Sequence, residues 1–440
     1  MTRSVAAGRI GVPARTGLPA GAVLASLANV IVLGDATIAT IALPSIKDAL
    51  GMSAAQLPWI VNGYSLAFGG CLIFGGYAAD RFGPRRLFAV GMVLFGLGSV
   101  CCALAGTGGQ LVVGRIVQGV GGALFSPAAL TVVSRAGSAR QRTRALAVWS
   151  GAGACAVALG PGIGGVLTGT LGWHSVFWLP AVACCVVALA GARRLGGATG
   201  GAQPEPGSAA PALAAKFPSA RVLTACGVLA LGSAALVAVN YCCTLWLQEV
   251  LGLNPIRAGF ALSPLSVGIV AGSMLAPVLM RRAGERMVAA LGLAVAAVGA
   301  LLLVTTSPRV AMPVLLPILG VLALGFGVQS VPVSALATAV ARRQGLASAG
   351  YQTAGQLGGA AGLALLASLA SWRSARLPVG GDQALVSGYH LAFLAGTAAL
   401  TLAALLVVGL GREPDLPPPP GEPDAVHARL PEGHRGLRGE

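Results

Sequence analysis

Twelve stretches of about 20 or more mostly apolar residues recur along this chain of 440 residues, and that is the length a helix needs to cross about 30 Å of hydrocarbon. They lie near 20–44, 57–78, 87–106, 110–134, 144–170, 175–192, 222–247, 258–280, 287–306, 312–340, 345–371 and 388–411. Lipid offers the backbone no water, so each is expected as a helix whose peptide groups satisfy one another. Composition agrees: 55% of residues are hydrophobic and 10% charged, against roughly 25% charged in an ordinary soluble domain. The expected fold class is all-α and integral to a membrane.

A net charge of +16 brings nucleic acid to mind, but the positions of the charges exclude it. With the N-terminus placed in the cytoplasm, 23 of the 29 Lys and Arg residues fall on that side, among them Arg81, Arg85, Arg86, Arg140, Arg142, Arg144, Arg281, Arg282 and Arg286. Lys47, Arg257, Arg309, Arg373 and Arg376 face outward, and Arg115 lies within a span. Such asymmetry is what membrane insertion selects in short loops, and it puts both termini in the cytoplasm. Arg outnumbers Lys 27 to 2, as a GC-rich bacterial genome favours; the expected home is a bacterial inner (plasma) membrane. All nine cysteines fall in expected spans, where they act as small apolar residues, so neither a disulfide framework nor a metal site is implied. The first apolar stretch is too long for a signal peptide and contains Asp35, which makes it an uncleaved first span.

The apolar pattern stops once, between Arg193 and Arg221, where Gly, Pro, Ala and Ser dominate. The expected organisation is a cytoplasmic segment 1–19, a six-helix bundle 20–192, a cytoplasmic linker 193–221, a second six-helix bundle 222–411 and a disordered cytoplasmic tail 412–440. The halves echo each other. Arg81-Phe-Gly83-Pro-Arg85 follows the second span and Arg282-Ala-Gly284-Glu-Arg286 the eighth; Gly122 and Pro127 in span four match Gly327 and Pro332 in span ten. Two-half repeats of this kind mark secondary transporters, with substrate held near the midplane between halves.

The loop after span two reads Gly76-Tyr-Ala-Ala-Asp80-Arg81-Phe-Gly83-Pro84-Arg85-Arg86 and resembles the signature loop of the major facilitator superfamily, whose fold is two pseudo-symmetric six-helix bundles. Gly83 suits a tight turn, the arginines hold the loop in water, and Asp80 is placed to meet a helix N-terminus. The resemblance implies that this helix is span eleven, here beginning near Gly345. As a plain solvated turn the loop needs only the positive-inside rule; the spacing favours the gating loop. A second acid that the family often carries after span four is missing, since no Asp or Glu occurs between Arg81 and Pro204.

Span four carries Gly114-Arg115-Ile-Val-Gln118-Gly119, similar to the superfamily's arginine motif. A charge at membrane depth costs about 2.5–3.5 kcal/mol on insertion scales and is functional by default; the bland alternative is an arginine snorkelling to an interface. The candidate partner is Asp35, in Leu33-Gly-Asp35-Ala-Thr-Ile-Ala-Thr-Ile-Ala42-Leu43-Pro44, which resembles the first-helix motif of the drug/proton antiporter branch that usually has fourteen spans. A carboxyl held beside a cation in lipid can take up and return a proton. Span five carries Gly160-Pro161-Gly162-Ile-Gly164-Gly165, resembling the motif that goes with antiport, although small residues four apart also serve ordinary helix packing. Only the linker stands where that branch has two more helices, so twelve spans are expected.

Polar and aromatic residues inside apolar spans are the substrate-cavity candidates: Asn29, Trp59, Asn62, Tyr64, Gln118, Asn240, Tyr241, Gln329, Tyr351, Gln352 and Gln356. Trp59 and Trp246 equally suit interface anchors, and Tyr389-His390 reads as interfacial. No Gly-x-x-x-x-Gly-Lys loop occurs, so no ATP and no cofactor is expected. The partners expected are protons, a small-molecule substrate and lipid, with the monomer as functional unit. The reading is proton-coupled export of lipophilic compounds by alternating access. A symporter taking up a metabolite is the alternative, which Pro161 argues against. A receptor or membrane-embedded enzyme is the third; His174 and His390 stand alone, without the clusters an enzyme needs.

Overall fold

In lipid the helix is the open choice for a single segment, and every described element takes it. The computed structural model describes residues 19–134, 138–195, 220–338, 344–377 and 381–409, and among these there is no strand. The helices are α1 (Ala20–Ile41), α2 (Leu43–Leu50), α3 (Trp59–Phe82), α4 (Pro84–Ala103), α5 (Gly108–Ser134), α6 (Ala139–Leu171), α7 (His174–Leu195), α8 (Ala220–Leu245), α9 (Pro255–Ala261), α10 (Ser263–Val304), α11 (Met312–Thr338), α12 (Gln344–Arg376) and α13 (Asp382–Gly409). A π-helical turn, Trp246–Val250, extends α8. The cytoplasmic segments expected at 1–19, 193–221 and 412–440 lie almost entirely outside the described residues.

Eleven helical stretches are long and apolar enough to cross a membrane, and one of them, Pro255–Val304, has 50 residues. At 1.5 Å per residue it would run about 75 Å, more than twice the hydrocarbon thickness. It is two spans joined at Gly284, whose φ of 77° breaks the helix, and the described chain therefore crosses twelve times. Gly83, between α3 and α4, has φ 90°. A side chain is strained in this left-handed region, so the two matching glycines of the sequence repeat make matching turns.

The repeat extends to packing. A methyl group added to Gly91 of α4 would meet the Phe125 nitrogen and Gly121 oxygen of α5, and one added to Gly292 of α10 would meet the Gln329 nitrogen and Gly325 oxygen of α11. Both halves thus cross their third and fourth spans on facing glycines, the close backbone approach that packing in lipid exploits. Large apolar side chains turned outward, such as Phe74, Leu97, Val182, Leu365 and Leu405, form the surface that lipid covers.

Helices of the first half meet those of the second in at least two places. At the middle of α3, the Gly69 carbonyl accepts from Thr353 Oγ1 of α12 at 3.0 Å. Toward the end away from Arg81–Arg86, α6 packs on α9, where the Pro161 carbonyl touches Gly259 and Gly165 touches Pro255.

Candidate functional site

The charged centre is assembled by α1, α3, α4 and α5. Helical spacing puts Arg115 and Gln118, three residues apart, on one face of α5, and that face meets Asp35 of α1. Arg115 Nη1 lies 2.5 Å from Asp35 Oδ2, with the two side chains 1% and 0% exposed. The same Nη1 donates to Gln118 Oε1 at 2.9 Å and Arg115 Nε donates to the Ile60 carbonyl of α3 at 3.0 Å. Gln118 Nε2 donates to Asp35 Oδ1 at 3.3 Å and to Ser99 Oγ of α4 at 2.8 Å. The guanidinium sits 4.5 Å from the centre of the Tyr64 ring, a cation–π distance.

This arrangement excludes snorkelling for Arg115. Two charges this deep remain charged only where geometry and extra hydrogen bonds offset desolvation, and here each has them. Gln118, expected to line the cavity, instead binds both charges. Its missed signal was the three-residue interval from Arg115. Ser99 carried no signal at all, since a serine in a span commonly donates to its own helix, as it does here to the Phe95 carbonyl.

The motif of span five lies beside this centre. On α6, Gly160 is pressed against Thr37 and Gly164 against the Ile38 backbone of α1, just past Asp35, while Pro161 and Gly165 face α9. One stretch of α6 therefore touches both the helix carrying the acid and the other half of the molecule. Farther down α1, Asn29 Nδ2 donates to the Trp149 carbonyl of α6 at 3.1 Å.

The remaining candidates divide by surroundings. Asn62, Tyr64, Tyr241 and Gln329 are buried, and Asn240, Tyr351 and Gln356 partly so. Among the described residues the Asn62 Oδ1, Tyr64 hydroxyl and Gln329 Oε1 find no hydrogen-bond partner, which for buried polar atoms points to a water or ligand. Trp59 is 51% exposed and Gln352 is exposed, so neither is enclosed by the bundle; Trp59 opens α3, where a residue has few neighbours. In the loop, Asp80, Arg81, Arg85 and Arg86 are exposed and Gly76 half-buried. The helix expected to meet Asp80, beginning near Gly345, is α12, which opens at Gln344; the side chains of its first turn lie outside the described residues.

Two expectations change at the end away from that loop. Tyr389 is not interfacial but buried, and its hydroxyl donates to Glu249 Oε2 at 3.5 Å. Trp246 is buried too, with Nε1 donating to the Pro308 carbonyl at 3.2 Å. Glu249, not singled out from sequence, is paired with Lys47 of α2 at 2.6 Å, and the neighbouring Gln248 Nε2 donates to the Ile41 carbonyl at 3.0 Å. These bonds tie the α1–α2 break to the second half. The π-helical turn aims both side chains there by shifting the register of α8's last turn. Glu249 lies just past the span expected at 222–247, where a charge draws no notice.

Comparison with known proteins places this geometry. The Major Facilitator Superfamily model matches residues 25–363. A puromycin resistance protein of Streptomyces alboniger is 31% identical, over 88% of this chain and 90% of its own length. A cephamycin export protein of Amycolatopsis lactamdurans is 32% identical, over 87% and 90%. In three dimensions, a bacterial homolog of the human lysosomal transporter Spinster, inward-facing and unoccupied, superposes with TM-score 0.70 at 17% identity, over 88% of this chain and 95% of that one.

Proposed function

The chain belongs to the major facilitator superfamily, and from that membership we propose that it exports lipophilic small molecules, drugs or antibiotics among them, in exchange for protons. Resistance and export proteins among its relatives support the cargo and direction. The observation that carries proton coupling is the fully buried Asp35–Arg115 pair. The chain is a multi-pass membrane transporter rather than an enzyme.

The residues suggest how coupling works. A proton on Asp35 cancels the charge that holds Arg115, while Arg115 keeps Gln118, the Ile60 carbonyl and the Tyr64 ring. The bond that weakens is thus the one joining α1 to α5. Because α1 packs on Gly160 and Gly164, and the next residues of α6 pack on α9, a shift of α1 reaches the contact between halves. A two-state rocking motion biased by protonation is the transporter form of a population shift. Loss of the proton re-forms the pair. With one such carboxyl, one proton moves per cycle, and neutral or monocationic cargo is favoured over dications. The unpartnered Asn62, Tyr64 and Gln329 atoms supply hydrogen-bond partners on the cargo path.

The arginine census assigns the sides. The Arg81–Arg86 end faces the cytoplasm with both termini, segments 1–19, 193–221 and 412–440 are cytoplasmic, and the Lys47–Glu249 end faces outward from the bacterial plasma membrane. The unit is a monomer of two bundles, 20–192 and 222–411. Expression in a pump-deficient host tests the proposal. The intact chain is expected to speed ethidium efflux and raise resistance to several lipophilic antibiotics, and Asp35→Asn to remove both; resistance equal to the empty host with the intact chain at the membrane would sink the exporter reading.

A further inference from the structure

At the Lys47–Glu249 end, a cavity of 440 Å³ opens between the halves, within the size range of small-molecule sites. Leu57, Tyr241, Leu245, Ala370 and Tyr389 line it, and the Lys47–Glu249 pair forms its polar corner. We infer that this cavity is a second ligand site, which takes a lipophilic cation whose positive head replaces the Lys47 ammonium on Glu249. The inference deepens the exporter reading and rests on it only for the direction in which cargo leaves.

The two members of the pair are unequally replaceable. The Lys47 side chain is 30% exposed and the Glu249 side chain 20%, and Glu249 also receives the Tyr389 hydroxyl. A cation taking Lys47's place releases an ammonium on a flexible stem, which water solvates readily. An anion taking Glu249's place would leave a carboxylate unpaired against the cavity's apolar wall, a costly state. The chemistry therefore selects cations. Tyr241 and Tyr389 are among its lining residues, and aromatic rings attract positive charge, while the aliphatic wall accommodates an apolar body.

Occupancy has a mechanical result. Among the described residues, Lys47–Glu249 is the ion pair that joins the two halves. A cation on Glu249 breaks it and leaves Gln248 on the Ile41 carbonyl as the neighbouring tie. Cargo arriving there loosens the end through which it departs.

Equilibrium binding of radiolabelled tetraphenylphosphonium to the purified full chain in detergent tests the site. Lys47→Met removes the competing ammonium and is expected to tighten binding about fivefold; Glu249→Gln is expected to weaken it about tenfold or more. Tetraphenylborate, the same shape with negative charge, is expected not to compete at equal concentration. A misfolded variant cannot bind more tightly, so the gain in Lys47→Met is the deciding arm. Binding unchanged or weakened by Lys47→Met, or competition by tetraphenylborate equal to that by unlabelled tetraphenylphosphonium, overturns the proposal. Asp35→Asn is expected to keep the Lys47→Met gain, so a failure of proton coupling and a failure of this site give different results.

Discussion

Removing the charges of the buried pair singly and together tests whether Asp35 and Arg115 hold each other in place. Arg115→Met leaves the Asp35 carboxylate with one side-chain donor, Gln118 Nε2 at 3.3 Å, and a buried pair broken from one side costs about 3–5 kcal/mol. The upper half of that range applies, because among the described residues Arg115 is the only ion-pair partner of Asp35. Asp35→Asn leaves the guanidinium its bonds to Gln118 and Ile60 and its place over Tyr64, so the cost sits near the lower end, about 3 kcal/mol. The double variant buries no charge, and its cost should come close to that of the milder single variant, giving a coupling of about 4–5 kcal/mol. Reversible unfolding in mixed micelles of dodecyl maltoside and dodecyl sulfate, followed by tryptophan fluorescence, reads all four proteins. Costs that add within about 0.5 kcal/mol would show two independent residues and refute the argument.

Other substitutions probe the supports of the pair. Gln118→Leu strips a bond from Asp35, Arg115 and Ser99 at once and should cost about 1–3 kcal/mol in the same assay, with slower efflux; an unchanged unfolding midpoint would remove Gln118 from the centre. Gly160→Leu drives a side chain into Thr37 and should destabilise by about 1–3 kcal/mol, whereas Gly151→Leu, with open space at its Cβ position, should be near neutral; equal melting of the two would contradict the α1–α6 contact. Gly284→Ala, forced into φ 77°, should cost about 1–2 kcal/mol, measured by the same unfolding.

What was legible in the sequence followed from costs that any membrane imposes. Apolar runs of spanning length announced the twelve crossings, and the matched glycine turns at Gly83 and Gly284 were visible because left-handed backbone has few other residues to use. Asp35 and Arg115 stood out because a charge in lipid needs a reason. Illegible were the features that depend on where helices touch. Gln118 looked like one polar residue among several until α1 lay against α5. Glu249 and Lys47 are 202 positions apart, and each read as an ordinary end-of-span charge. Tyr389 near the end of span twelve fitted an interfacial belt; only the π-helical turn after α8, which no propensity announces, brought Glu249 within reach of its hydroxyl.

Proton coupling through Asp35 is tested most directly in reconstituted liposomes. Purified protein, an imposed pH gradient and a fluorescent lipophilic substrate such as ethidium allow gradient-driven accumulation and gradient-free exchange to be followed in one preparation. The intact chain should accumulate substrate on the acidic side and dissipate the gradient as it does so. Asp35→Asn should still exchange labelled for unlabelled substrate across the bilayer yet accumulate none when the gradient is imposed. Accumulation by Asp35→Asn at the intact protein's rate and to its extent would contradict the assignment of the proton to this carboxyl.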